Sequence, residues 1–486
     1  MQKVGIFMSD FSNYFKDCIH QNHVNVSLLS RQSGINRTLL QKIITGARIP
    51  SEESFFEKVL PYMMLSLRQQ EELMRLYHIE KIGKEAYSQH MIIKSFIEHL
   101  QANAHVESPM LKMSIESEPK KETYCVYDKY SLIQCMSSAL GRVKTKKDPV
   151  VYLLMQDADP SIYDFIASAL YGRKDVTLIH LLCFQSANVD SKAELLFNIK
   201  LCESFTPLLL CGCNYQPLCY YHSSAVDQSY YAPYPYVFLT DDCVINFRKD
   251  LSGALITHEP GILNQFQDFI EKRKSISISI IQRHHRPTEI LQPYLQELNK
   301  TSFDDPICSF MQEPCVLPLF PVEEIIKKIK PEIRKDQHAM HMLQDYLEKL
   351  HQMEDMTIYF TRTGLYRFME TGQISEVPSY MYEPFNKQER KMILKKMIEQ
   401  QESSHYHAYL VNNKFTFHQS LSIAVYSENR ILFRYGMDDR GTSFLFHELS
   451  FGTMLSDFFQ FLKTSSMVEK PEDTMAFLLS VYQQTL

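Results

Sequence analysis

The sequence predicts a multidomain chain, with an all-α domain of five short helices at the amino end and a large α/β region behind it. Three observations predict this. At 486 residues the chain exceeds one ordinary hydrophobic core. Up to residue 82, apolar residues recur at three- and four-residue spacing, the period of one helix face. Beyond residue 125, helical patterns alternate with short runs rich in β-branched and aromatic residues, and several patterns return at offsets of 180 to 190 residues.

The amino-terminal helices follow in order. Phe7, Phe11, Phe15, Cys18 and Ile19 share one face of the first. Asn25 can cap the second, with Leu28 and Leu29 inward. Gly34 stands where the chain must reverse, since a residue without Cβ accepts positive φ, and Ile35 plugs the corner. Asn36 opens the third helix, Leu40, Ile43 and Ile44 turn inward, Gly46 closes it, and Pro50 prevents its continuation. Phe55, Phe56, Val59 and Leu60 make a fourth helix. Ser66 and Gln69 form a capping box for a fifth, which carries Leu73, Leu76 and Tyr77. Between Asn25 and Pro50 lie Arg31, Arg37, Lys42 and Arg48 and no Asp or Glu, although the whole chain carries a formal charge of -6. An acid-free helical pair in an acidic protein suits a phosphate-facing surface.

Leu29, Gly34, Ile35, Leu40, Ile43, Gly46 and Pro50 carry a resemblance to the helix-turn-helix of the Cro and phage-lambda-repressor class, the XRE family. The resemblance extends from Phe7 to Ile82 and implies a lambda-repressor-like five-helix fold. In that family the second helix of the pair enters the DNA major groove. By position, the resemblance implies base contacts from Asn36, Arg37, Thr38, Gln41 and Lys42, and phosphate contacts from Arg31 and Arg48. One departure is Val26, where the family often has a phosphate-binding Gln.

Composition narrows the remaining classes. Hydrophobic residues at 45% and charged residues at 22% fit a globular protein. No apolar run has the length of a membrane span, and the amino end lacks a secretory pattern, so a cytoplasmic protein is expected. Eleven cysteines show no repeated spacing. Cys211, Cys213 and Cys219 lack a fourth ligand and paired two-residue gaps, so Cys211 and Cys213 read as alternate positions on a buried strand rather than a metal site. No metal or cofactor is expected.

After the fifth helix, Glu85 to Gln101 reads as a connector or dimer-contact helix, and Ala102 to Glu122 as a linker. A helix at Lys129 to Val143 opens the α/β region. A helix at Tyr163 to Tyr171, Asp175 and a strand at Val176 to Phe184 are echoed by Leu343 to His351, Asp355 and Met356 to Thr361. Phe247-Arg248 is echoed by Phe433-Arg434, and Gly253 by Gly441. His258-Glu259 stands ten residues before Asp268-Phe269, as His447-Glu448 stands before Asp457-Phe458. These pairs open amphipathic helices carrying Ile262, Phe266, Phe269 and Ile270, and Leu455, Phe458, Phe459 and Leu462. The organisation read from this is a helix-turn-helix domain (1–82), a connector helix and linker (83–124), a first α/β half (125–280), an inter-half connection (281–335) and a second α/β half (336–486).

The two His-Glu pairs admit two readings. In one, each His bonds backbone and each Glu favours a helix N-terminus. In the other, His258, Glu259, His447 and Glu448 form a ligand cleft. Two halves each giving a His would suit a phosphodiesterase of the phospholipase D type, but that family needs a Lys two residues after each His, where Pro260 and Leu449 stand. A Tyr/Pro stretch from Tyr215 to Tyr236 reads as a long loop over a sheet, and the basic runs Arg283–Arg286 and Lys327–Lys335 read as solvated faces. Pro384 to Gln401 reads as a further helix. No phosphate-cradling loop, zincin helix or nucleophile elbow is present.

The resulting expectation is a bacterial, dimeric, sequence-specific DNA-binding regulator rather than an enzyme, with a carboxyl-terminal region that senses a small-molecule or peptide effector or makes the dimer. The rival readings are a phospholipase-D-like phosphodiesterase or nuclease with a helical targeting domain, and an antitoxin-like helical module that docks to protein.

Overall fold

A computed structural model describes residues 9–102, 123–143, 147–156, 158–185, 192–222, 233–284, 295, 297–300, 307–375, 377, 379–401, 405–427, 430–435 and 442–485. The chain forms two units, Met1–Ile92 with Phe461–Ser466, and Ile93–Gln460 with Met467–Leu486. Phe7, Gly441 and the expected linker after its first residue, Ala102, lie outside the described residues.

The first unit holds α1 (Asp10–Gln21), α2 (Val26–Ser33), α3 (Arg37–Ile44), α4 (Ser54–Val59) and α5 (Leu67–Ile82). Phe11, Phe15, Phe55, Phe56 and Tyr77 join edge to face and stacked in its core, packed with Leu29, Leu40, Ile43, Val59 and Leu73. Ser66 and Gln69 satisfy each other's backbone at the start of α5, as the capping box requires. Leu28 departs from its expected inward place. It is 48% exposed, because Leu29, one residue on, already fills the core side of a helix only two turns long. The next helix, α6 (Lys84–Ala102), crosses the division, and its buried Ile93, Phe96, Ile97 and Leu100 belong to the second unit.

The second unit is α/β, with two mixed sheets. Its first part runs β1 (Tyr124–Val126), α7 (Lys129–Val143), β2 (Val150–Leu154), α8 (Pro160–Ala169), β3 (Thr177–Gln185), α9 (Lys192–Leu210), β4 (Asn214–His222), β5 (Tyr236–Leu239), β6 (Val244–Phe247), β7 (Ala254–Thr257), α10 (Pro260–Ser275) and β8 (Ile278–Ser279). Its second part runs β9 (Ile281–His284), β10 (Ile307–Phe310), α11 (Val322–Lys328), α12 (Pro331–Arg334), α13 (Gln337–His351), β11 (Met356–Thr361), α14 (Arg362–Thr371), α15 (Lys387–Gln401), β12 (Tyr406–Val411), β13 (Leu421–Ser427), β14 (Arg430–Tyr435), β15 (Thr442–Phe446), α16 (Leu449–Leu462) and α17 (Pro471–Gln484).

The two sheets share one connectivity. In the first, β2, β3 and β4 are parallel, β5, β6 and β7 return as an antiparallel meander beside β2, and β1 closes against β7. In the second, β10, β11 and β12 are parallel, β13, β14 and β15 return beside β10, and β9 closes against β15. Strand β8 flanks β4 antiparallel, and an antiparallel bridge from Val411 to Val468 takes the corresponding place beside β12. The echoes read in the sequence fall on corresponding elements: α8 to β3 with α13 to β11, β6 with β14, and β7 to α10 with β15 to α16.

Several expectations are corrected. Residues 281–335, read as a connection, supply β9 and β10 to the second sheet. Their strands were hidden because each is only four residues long. Cys211 and Cys213 sit in the turn between α9 and β4, not on a strand, with Gly212 between them at φ 83°. The stretch from Tyr215 to Tyr221 is β4 rather than loop, since aromatic side chains favour a pleated surface. Its Pro217 is tolerated because β8 pairs only with Leu218 and Cys219. On α10 the inward residues are Leu263 and Ile270, while Ile262 is 37% and Phe269 40% exposed.

The halves meet through named groups. The Tyr221 hydroxyl donates to Glu448 at 3.3 Å, and the Asn198 amide donates to the Ser450 hydroxyl at 3.1 Å. A single residue, the fully buried Ile280, separates β8 in one sheet from β9 in the other, and its carbonyl accepts the His447 amide at 3.0 Å.

Candidate nucleic-acid interface and ligand cleft

The helical pair is set by short-range chemistry. The Asn25 carboxamide oxygen accepts the amides of Ser27 at 3.0 Å and Leu28 at 3.1 Å, which fixes the start of α2. Gly34 ends it at φ 70°, and a Cβ there would meet nothing within 4 Å, so glycine is required by backbone conformation and not by space. Ser33 donates to the Leu29 carbonyl and Ser30 to that of Ile35, each at 2.7 Å, tying the corner. The Asn36 oxygen then accepts the Thr38 amide at 2.7 Å and starts α3.

With Leu40, Ile43 and Ile44 buried, α3 leaves Arg37, Thr38, Gln41 and Lys42 exposed on one stripe. Arg31 on α2 and Arg48 after α3 are exposed too. The turn at Gly46, φ 74°, lets the Arg48 amide reach back to the Lys42 carbonyl at 3.1 Å. Among the described residues no salt bridge engages these four cations, whereas Arg75 pairs with Glu72 and His78 with Glu53 in the same unit. The first turn of α3 also lacks an acid, so the helix's positive end adds to the field. The Asn36 oxygen is engaged by the cap, which leaves its second lone pair and its amide donors facing outward.

The two His-Glu pairs are not brought together as one cleft. His258 bonds the Asp242 carbonyl at 2.7 Å at the end of β7, and Glu259 is exposed without a side-chain capping bond. Glu448 is 1% exposed, accepts the Phe451 amide at 2.8 Å, and touches Tyr221 at the end of β4. Strands β7 and β4 stand five positions apart in the first sheet and run antiparallel, so their carboxyl ends face opposite ways. At about 4.8 Å per position, the two sites are on the order of 20 Å apart or more. Burial raises the Glu448 carboxyl above its usual range, against the hydrogen bonds from Phe451, Ser450 and Tyr221, and burial lowers His447.

A cleft lies elsewhere in the second unit. Gln312, Thr361 and Val411 stand at the carboxyl ends of β10, β11 and β12, and the chain from Asn412 to Ser420 crosses above them to reach β13. Together with Arg362, Thr363 and Glu469 they line an open cleft of about 960 Å3. Ligands of α/β proteins bind at this end of the strands. Its charged pair, Arg362–Glu469 at 3.0 Å, balances itself, and the rest of the wall combines amides and hydroxyls with His418 and the apolar Val411, Phe415 and Phe417. The sequence held a signal for it: each parallel strand is an apolar run that stops at polar residues, Gln312, Thr361-Arg362-Thr363 and Asn412-Asn413.

Among the described residues no group of three His, Cys, Asp or Glu side chains could hold a metal ion, and no helix is long and apolar enough to cross a membrane. Neither protein-family models nor curated protein sequences give a match to this chain.

Proposed function

We propose that the chain is a sequence-specific DNA-binding transcription regulator of the XRE type. Its first unit is a five-helix lambda-repressor-like domain, and its second is an internally duplicated α/β region that senses a ligand. The observation that carries the reading is the exposed stripe of Arg37, Thr38, Gln41 and Lys42 on α3, with no salt bridge among the described residues. A short helix that keeps cations in water without acidic partners has a positive field free for phosphates. The shared connectivity of the two sheets supports the duplication.

In this reading α3 lies in the major groove of a half-site. Arg37, Thr38, Gln41 and Lys42 reach base edges, and Arg31 and Arg48 hold phosphates. One such domain binds weakly, so two copies on an inverted repeat give useful affinity. The cleft at the ends of β10, β11 and β12 takes a small uncharged effector, which regulates binding by favouring one spacing of the two domains.

Selection of bound fragments from a random DNA pool by the full chain tests the proposal. An enriched inverted repeat, with affinity falling steeply as salt rises, is the expected outcome. Retention of no DNA at low salt would sink it and leave α3 as a protein-docking surface.

A further inference from the structure

A buried cation without an acid lies on the second sheet. Arg434 on β14 is 2% exposed, and its Nε, Nη1 and Nη2 are all shielded from solvent with no hydrogen-bond partner. A guanidinium offers five N–H donors, has no acceptor, and stays charged across the range in which proteins fold. Removing it from water without a counter-charge is costly. Its neighbour Arg430, four residues back on the same strand face, does have an acid: Glu297 lies 3.5 Å away. Between them Leu432 belongs to the apolar core.

The ladder places hydroxyls on both sides. Arg434 registers with Ser422 of β13 and with Ser443 of β15. Side chains paired this way share a face, with Cβ atoms about 4.5–5.5 Å apart. Ser443 is fully buried, and its Oγ also lacks a partner. Two adjacent buried groups on one face of the sheet therefore carry unused donors and a positive charge side by side. Arg434 is one residue from the end of β14, which runs parallel to β10, so this place is at the carboxyl end of the sheet.

We propose that Arg434, with Ser443 and Ser422 beside it, holds an oxyanion, the phosphate or carboxylate of a bound small molecule. The planar fork of a guanidinium matches two oxygens of such a group with parallel hydrogen bonds, and a serine hydroxyl supplies a third donor. None of these three residues is among those lining the cleft of Thr361 and Asn412, and the proposal stands or falls independently of DNA binding.

Unfolding midpoints of the full chain in sodium phosphate, sodium acetate and sodium chloride, matched for ionic strength, test it. Phosphate or acetate raises the midpoint above that in chloride. A rise in phosphate alone identifies a phosphoryl ligand, and a rise in acetate alone a carboxylate. Arg434→Met abolishes the rise while folding as well as the wild type in chloride. Ser443→Ala keeps the chloride midpoint and weakens anion affinity about tenfold, the loss of roughly one charge-assisted hydrogen bond. Equal midpoints in the three salts overturn the proposal, as does a rise that persists in Arg434→Met. If Arg434→Met does not fold, undiminished anion affinity in Ser443→Ala overturns it too.

Discussion

Gly364, in the first turn of α14, lies so close to Gln312 at the end of β10 that a Cβ on the glycine would collide with the Gln312 carbonyl. The contact is supported from both sides: the Thr361 amide donates to that same carbonyl at 3.0 Å, and the Gly364 amide donates to the Thr361 hydroxyl at 3.0 Å. Since Gln312 and Thr361 both line the cleft, its floor depends on this approach. The obstacle is backbone, not a side-chain tip that could swing away. Gly364→Ala should therefore cost on the order of 3 kcal/mol, read by urea unfolding, and displace the cleft wall. A variant as stable as the wild type would mean that the approach is not tight in solution.

Arg37 and Arg48 should differ in kind. In the proposed mode of binding, Arg37→Ala on α3 should lose a base contact and reduce discrimination among DNA sequences by about 1–3 kcal/mol at one position. Arg48→Ala should lose only a proposed phosphate contact and weaken binding to all sequences alike, with a shallower salt dependence. Fluorescence anisotropy with the selected site and a scrambled site separates them. Identical losses on both sites for both variants would refute the assignment.

Asn36 combines a cap with a place at the proposed groove. Aspartate caps a helix as well as asparagine does, so Asn36→Asp should leave the thermal midpoint of the first unit within a degree or two of the wild type. The added negative charge should weaken DNA binding at least tenfold near phosphates. Asn36→Ala should instead lower stability by about 1 kcal/mol. DNA binding unchanged in the aspartate variant would move the groove away from this helix end.

Glu448 gives a pH signature. Burial raises its carboxyl above the ordinary value of 4.5, so the folded state holds the proton more tightly than the unfolded state. Its contribution to stability is thus fully present at low pH and fades as pH rises above 4.5 through the folded value. Glu448→Gln should match the wild type at acid pH and gain on it progressively toward neutrality. A constant difference across that range would show that the carboxyl does not titrate differently in the fold.

His180 has the opposite sign. Its ring is fully buried, with Nδ1 2.9 Å from the Tyr215 hydroxyl and Nε2 2.8 Å from the Met155 carbonyl, and burial lowers its pKa from 6.5 to about 4. The unfolded chain takes the proton first, so stability present above pH 6.5 is lost as pH falls toward 4. His180→Gln should flatten that decline, at a cost of about 1–2 kcal/mol at pH 8 from imperfect hydrogen bonds. The His180 imidazole signal, identified by its absence in His180→Gln, titrating near 6.5 in the folded protein would contradict this.

What the sequence made legible was what local physics decides. Caps at Asn25, Asn36 and Ser66 and the reversal at Gly34 are contacts within a few residues, and each stands where the residue types put it. The corresponding elements of the two α/β halves were legible because the strand Met356–Thr361 and the helix entrances at His258 and His447 carry similar short patterns. The cleft and Arg434 were not. The cleft depends on three strands side by side from points across more than a hundred residues, and nothing local in β14 says that Arg430 receives an acid while Arg434 does not. The exposed Leu28 and Phe269 show a related limit, since periodicity assigns a face but not which neighbour fills it first.

Ile280 leaves no slack between strands that belong to different sheets. A hinge needs a few residues free to change their torsions, and here one residue, enclosed by protein and held by its carbonyl, does the whole job of crossing over. The halves of the second unit should accordingly respond to strain as a single plate, and a shift at the edge of one sheet would arrive at the other without being absorbed on the way.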